Sequence, residues 1–381
     1  MNLSRAQEIA AHLQHNDMQL AVRRMLDLSL ESNDKSFMRE SIAWSKKFNS
    51  IGADNTIPND FLQEGQRLIE KATAIKNYKP YETKQLISAN AISKKYSNGN
   101  FFLKPVSLSL NNGQITGVVG ENGNGKTTLL RCLSGQLAID AGSIDYSLLN
   151  KPDYYDVKHY VAFIPQRIPR WYGQLKDNLH FSAAISGLKS EENELMVDFM
   201  LERLGLTKFA LLNWEQISSG YRTRFELARI LLQKPQLLIL DEPLANLDIK
   251  AQQTILTDLQ FIAKSAYNPM GIILSSQQLH EVEKVADDVV FIRNGQSIVN
   301  ATKKQTEDAA AYVMEIESTA SREIIANVLQ GFDVSIGFNG GFYTISSSTK
   351  TVAEIIAKLI QEGVALTYFR DITHSTKRYF N

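Results

Sequence analysis

The sequence predicts an α/β chain in which a mostly parallel sheet is covered by helices, with a small all-α domain before it and an α+β domain after it. Three observations carry this reading. Between about 85 and 300 the apolar runs ITGVV, LLILD, GIIL and VVFI alternate with helical patterns, as strands buried on both faces of a parallel sheet do. Residues 1 to about 80 show helical periodicity. The tail from about 311 runs strand, helix, strand, strand, helix, strand, the ferredoxin-like order. The domains expected are therefore 1–82, 83–304 and 305–381.

In the first domain, Ser4 and Gln7 are spaced as a capping box ahead of AAHL, and LAVRRMLDLSL forms a second helical stretch. Asn59 and Asp60, after Pro58, cap a third, in which Phe61, Leu62, Leu68, Ile69, Ala72 and Ile75 share a face. Lys79 and Pro80 close the domain. In the second, Asn294 and Gly295 suit a two-residue hairpin that returns SIVN along VVFI. In the tail, AYVMEIES, FDVSIGF, GFYTISS and VALTYFR read as strands, SREIIANVLQ and TVAEIIAKLIQEG as helices.

At 381 residues the chain exceeds what one core usually organises. Lys plus Arg and Asp plus Glu number 41 each, so no bulk charge draws the chain to nucleic acid or acidic lipid, and no nucleic-acid partner is expected. Cys132 is the only cysteine, which rules out an intrachain disulfide and fits a reducing compartment. The polar start MNLSRAQEIAAHLQHND has no secretory pattern, and no apolar run approaches the roughly 20 residues of a membrane helix. A cytoplasmic location is expected.

The strongest local signal is Gly120-Glu121-Asn122-Gly123-Asn124-Gly125-Lys126-Thr127, followed by Thr128, between the strand ITGVV and the helix TTLLRCLSG. It fits G-x-x-x-x-G-K-[ST], a match that chance gives on the order of one in a hundred chains this long. Glycines let backbone N–H groups turn around phosphate oxygens and the helix N-terminus adds partial positive charge. Lys126 then reaches the β and γ phosphates, and Thr127 ligates magnesium. A second element, Leu237–Leu240 followed by Asp241 and Glu242, delivers two carboxylates at a strand's carboxyl end. Asp241 suits magnesium held through water and Glu242 suits polarisation of the attacking water, because phosphoryl transfer relies on positioning and charge neutralisation. Ser218, Ser219 and Gly220 open the helix FELARILLQ and offer a hydroxyl, free N–H groups and room for a phosphate.

Together these residues resemble the nucleotide-binding subunit of an ATP-binding cassette (ABC) transporter, over about 85 to 300. The resemblance locates a Q-loop at Phe163-Ile164-Pro165-Gln166, a signature at ISSGY, a D-loop at Ala245-Asn246-Leu247-Asp248 and an H-loop after GIIL. It implies Gln166 as a catalytic and metal-binding residue and Asp248 as a nucleotide-side residue. It also implies an aromatic ring on adenine, at Tyr96 with Phe101 and Phe102 as rivals. The cofactors implied are ATP and Mg²⁺. Ser218 and Gly220 would cap the γ-phosphate held by a second copy or related ATPase domain, closing a head-to-tail dimer that drives a separate transmembrane permease. That places the chain at the inner face of the cell membrane.

Residues from about 170 to 216 would form the helical subdomain that docks the permease, where Trp171 and Tyr172 serve either packing or docking. The pattern YGQLKDNLHFSAAISGL before LERLGL is most like ATPases of drug, lipid or polysaccharide exporters, and the tail resembles the appended domain of that branch. Residues 1–82 either bind a partner or brace the ATPase domain.

The sequence departs from the family pattern in two places. Ser219 replaces the first glycine of the signature and Tyr221 its glutamine, while Ser218 and Gly220 remain. At the H-loop position stands Gln277, not histidine. With Ser275 as N-cap, Gln277 would sit in the first helical turn and His280 on the polar side of the second. An amide donates a hydrogen bond but cannot become cationic, so slow hydrolysis is expected. The alternative is an ATP-gated dimerisation switch.

Overall fold

The computed structural model describes residues 2–51, 56–74, 82–97, 99, 101–245, 247–265, 268–302, 311–339 and 341–373. Four helices come first: α1 (Asn2–Gln14), α2 (Met18–Glu31), α3 (Lys35–Ser50) and α4 (Asn59–Ala74). Then follow β1 (Gln85–Lys95), β2 (Phe102–Asn111), β3 (Ile115–Val119), α5 (Lys126–Leu133), β4 (Ala141–Asp145), α6 (Tyr154–Tyr160) and β5 (Val161–Ile164). The middle of the chain holds α7 (Leu175–Ile185), α8 (Ser190–Arg203), α9 (Ser219–Leu231), β6 (Leu237–Leu240), α10 (Ile249–Ala263), β7 (Gly271–Ser276) and α11 (Leu279–Val282). The remainder is β8 (Asp288–Arg293), β9 (Gln296–Thr302), β10 (Tyr312–Ser318), α12 (Arg322–Val328), β11 (Val334–Asn339), β12 (Phe342–Ser347), α13 (Val352–Gln361) and β13 (Leu366–Asp371).

These elements group into two compact units. The first comprises Met1–Ile115 and Thr127–Ser275, the second Thr116–Lys126 and Ser276–Asn381.

In the first unit, α1 to α4 enclose a core around Trp44, Phe37, Phe61, Met25 and Leu68. Trp44 stacks on Phe61 with ring centroids 4.7 Å apart, and its indole N–H donates to the Phe61 carbonyl at 3.0 Å, which satisfies the one polar atom this ring buries. The expected face of α4 is present: Phe61, Leu68 and Ala72 are buried and Leu62 and Ile69 pack beside them. Ile75, Lys79 and Pro80 lie outside the described residues.

One expectation is corrected here, and one helix is added to those expected. Helix α1 starts at Asn2, upstream of the Ser4 to Gln7 box, because neither Pro nor Gly interrupts the run through Ser4. Helix α3 was not separately read. Asp34 caps it by accepting from Ser36 N and Phe37 N, but its buried face mixes Ser41 and Ser45 with Phe37, Ile42 and Trp44, which dilutes the apolar stripe.

The first unit also contains an antiparallel sheet of order β2-β1-β4 and parallel strands β5, β6 and β7 in register Ile164 to Leu240 to Leu274. Gly271 allows β7 to approach that antiparallel sheet, since a Cβ there would lie 2.8 Å from side chains of Leu86 and Leu110.

In the second unit β3 pairs parallel with β8, and β9 returns antiparallel along β8. Asn294 and Gly295 at the turn have φ of 49° and 73°, the left-handed pair that a type I′ hairpin requires. The tail forms a four-stranded sheet of order β11-β12-β10-β13, antiparallel throughout. Ser321 and Thr351 cap its two helices, and Met314, Ile316, Ile345, Ile325 and Ile355 build its core. Within the NGG turn Gly340 lies outside the described residues.

Candidate functional site

The loop between β3 and α5 is drawn tight by its own chain. Lys126 is 5% exposed and its ammonium donates to the carbonyls of Gly120 at 2.6 Å and Glu121 at 3.2 Å, which curls residues 120–126 back on themselves. Gly120 is required by close approach: a Cβ there would lie 2.2 Å from the Ile292 carbonyl oxygen. Gly123 and Gly125 have φ of 79° and 102°. Asn122 is exposed at the tip. Asn124 is buried and braced from the turn between β8 and β9, its side-chain oxygen accepting from Asn294 N at 2.9 Å and its carbonyl from Gly295 N at 3.2 Å. The sequence reading gave Asn124 only a phosphate role and missed this brace.

In the first unit, Thr127 Oγ1 donates to Asp241 Oδ2 at 2.8 Å. Ser275 Oγ donates to Asp241 Oδ1 at 2.8 Å and accepts from Glu242 N at 2.8 Å. One hydroxyl thus fixes the Asp241 carboxylate and the backbone of Glu242. It follows from register, since Leu240 lies opposite Leu274 and the next residues on the two strands are Asp241 and Ser275. Ser275 is fully buried in β7 and is not the N-cap expected of it. The short helix α11 is capped at Gln278, so Gln277 stands between strand and helix, exposed, and not in a first helical turn. The strand runs two residues further because Ser276 spends its hydroxyl on Glu281 and the Gln278 N–H, closing the turn without a helix start at Ser275.

Glu242 has φ of 50°. A non-glycine residue held in the left-handed region stores strain that the surrounding contacts must offset, here the bond from its N–H to Ser275. Gln166 is exposed two residues beyond β5, whose end lies beside that of β6. Hard oxygen donors at Thr127 and Asp241 suit Mg²⁺, which takes one or two protein ligands, phosphates and water. Among the described residues no cluster of three or more His, Cys, Asp or Glu could hold a metal ion.

Tyr96 follows β1 and its hydroxyl lies 3.4 Å from Thr128 Oγ1, which sets its half-exposed ring beside the first turn of α5. Phe101 tilts against that ring at 6.5 Å, and Phe102 is paired with Lys95 in the sheet. The signature residues gather elsewhere. Ser218 is the N-cap of α9 and makes no side-chain capping bond; with Ser219, Gly220 and Asp248 it lines a cleft of about 700 Å³ that Thr127 and Thr128 do not line. Asp248 caps α10 by accepting from Ala251 N at 2.8 Å, and Asn246 lies outside the described residues. The question of Trp171 and Tyr172 divides: Trp171 is buried, stacked on Trp214 at 5.1 Å and bonded to Glu226, while Tyr172 is 78% exposed. His280 is exposed. Cys132 is buried, and burial pushes its thiol up to about 11, which leaves it inert.

A model of the ABC transporter family matches residues 103–245. The ABC transporter ATP-binding protein YxlF of Bacillus subtilis is 32% identical over 213 residues, which span 55% of this chain and 69% of that protein. The chain belongs to the ABC transporter family. The phosphonates import ATP-binding protein PhnC of Treponema denticola is 26% identical over 259 residues, 64% of this chain and 96% of its own. Among solved structures, a dimeric post-hydrolysis ATP-binding cassette bound to ADP and phosphate superposes with a TM-score of 0.51 at 18% identity, over 57% of this ABC chain and 98% of that one. That likeness shows the ABC ATPase fold. No helix among the described residues is long and apolar enough to cross a membrane.

Proposed function

We propose that this chain is the ATP-hydrolysing subunit of a transporter, closing head-to-tail with a second copy or a related cassette around two ATP and driving a separate permease. The observation that carries this is the Thr127–Asp241–Ser275–Glu242 chain of hydrogen bonds, which holds a hydroxyl, the Asp241 carboxylate and the Glu242 backbone in place for a nucleotide's terminal phosphate. The signature residues line a different cleft, as expected of a half-site completed by a partner.

The loop amides of 120–125 and Lys126 bind the β and γ phosphates, Tyr96 stacks on adenine, and Thr127, Asp241 and Gln166 hold Mg²⁺. When bound, the metal neutralises charge on the β and γ phosphates. Glu242 orients and polarises the attacking water, and Gln277 donates its amide to the γ-phosphate. Tyr172, Phe181, Ile185 and Leu211 are each exposed, at 78%, 69%, 68% and 69%, which leaves apolar side chains of residues 170–216 available to a permease at the inner face of the membrane. The pattern of residues 172–206 supports an exporter, although an import ATPase is among the relatives. Of the segments 1–82, 83–304 and 305–381, the first braces the ATPase domain and the third is a ferredoxin-like appendage.

Steady-state ATP turnover tests the reading. Glu242→Gln should lower it by about 10² or more while retaining ATP binding, and Gln277→His should raise it by restoring a donor that can become cationic. An unchanged rate in Glu242→Gln would remove Glu242 from the mechanism. ATP-dependent dimerisation with negligible wild-type turnover would instead identify a switch.

A further inference from the structure

The cleft lined by Ser218, Gly220 and Asp248 has a second wall that no cassette motif supplies: Asp17, Gln19 and Arg23 from the start of α2. This wall is held rigidly. Asp17 caps α2 by accepting from Leu20 N at 3.3 Å, and Arg23 reaches Asp258 on α10 at 3.4 Å. One turn further on, Asp27 accepts from Arg203 of α8 at 2.8 Å. Gln19 is exposed within the cleft.

Any group that reaches Ser218 and Gly220 therefore meets the first turn of α2. The cleft carries Arg23, Arg224 and Lys250 against Asp17 and Asp248, an excess of one positive charge that complements a nucleotide triphosphate carried in by a partner. Resting on the head-to-tail reading above, we infer that the first turn of α2, centred on Gln19, is part of the interface with the second copy, whose ATP-loaded phosphate loop it seats against Ser218 and Gly220. The α2 turn thereby adds a specificity-determining surface to the dimer, and a cassette not shaped to it is excluded.

The test uses full-length Glu242→Gln carrying Gln19→Cys. Cys132 is buried, so maleimide labelling reports the introduced thiol. With Mg-ATP, dimer formed in sedimentation should slow that labelling by at least about tenfold, since a thiolate must be exposed to react. A Gln63→Cys control on exposed α4 should label at an unchanged rate. Dimer lost with Gln19→Cys but kept by Glu242→Gln alone, at equal thermal stability, also supports the interface. A dimer in which the introduced thiol labels as fast as in the nucleotide-free protein overturns the inference while leaving the head-to-tail reading intact. Absence of an ATP-dependent dimer in Glu242→Gln alone sinks both.

Discussion

The N-terminal helices join their unit through buried charge, whereas the C-terminal α+β segment is built around apolar side chains and meets α11 at a polar rim. Arg203 of α8 is 4% exposed and sits between Asp27 of α2 and Asp258 of α10, each at 2.8 Å. Burial acts to lower its pKa, but the two carboxylates outweigh this and hold the guanidinium above the ordinary arginine value. Beside it, buried Glu202 accepts from Ser45 and Asn49 of α3 at 2.6 and 2.8 Å. In the tail, by contrast, Met314, Ile316, Ile345 and Ile355 are fully buried, and Arg370 lies 3.6 Å from Glu283. A guanidinium held by two carboxylates is directional in a way that apolar contact is not, and it ties α2 to α8 and α10; α2, α9 and α10 border the cleft at Ser218.

Arg203→Ala should give the largest effect. Removing the cation leaves Asp27 with Arg24 alone and Asp258 with Arg23 alone in a buried setting, at a cost of about 3 to 5 kcal/mol, read by urea unfolding. A loss below about 1 kcal/mol would show that the charges are solvated and that the contrast between the flanks is false.

Ile355→Ala tests the other side. Truncating a fully buried isoleucine should cost the tail about 2 to 5 kcal/mol, seen as faster amide exchange in β10, β12 and α13 with ATP affinity unchanged. If ATP affinity falls with it, the tail is not a separate reservoir of stability, and the comparison breaks there.

Much of the nucleotide site was legible because its chemistry is written in adjacent residues. Gly120 to Thr127 and Asp241 to Glu242 declare themselves by type and spacing. Ser275 did not, since its role depends on β7 lying in register beside β6, a non-local fact. Its place after an apolar run made a helix cap the local reading, and the strand continued through Ser276 instead. The docking of α2 was equally hidden: Arg23, Asp27, Arg203 and Asp258 look like solvated helix residues one at a time, and only their convergence makes them a buried cluster. The signal that could have raised suspicion is the basic pair Arg23-Arg24 set between the apolar pairs Ala21-Val22 and Met25-Leu26.

Acid should separate the flanks by a smaller margin. Lys46 of α3 lies 2.7 Å from Asp198 of α8. Burial acts to raise the Asp198 carboxyl, but Lys46 and Lys176 outweigh it and hold it below the usual carboxylate range. With a depressed folded pKa, the pair stabilises above the unfolded value of about 4 and that contribution is lost as pH falls through the folded value. Lys46 is 48% and Asp198 33% exposed, so screening keeps the contribution below about 1 kcal/mol. The stability gap between wild type and Asp198→Asn should therefore be open at about pH 7 and close towards about pH 3. The gap for Ile355→Ala should not change over the same range, because no proton is bound or released where a methyl group is lost. A pH-independent gap for Asp198→Asn would mean that Lys46 and Asp198 are joined by geometry without energetic coupling, and would shift the electrostatic anchoring of these helices to the buried groups at Arg203 and Glu202.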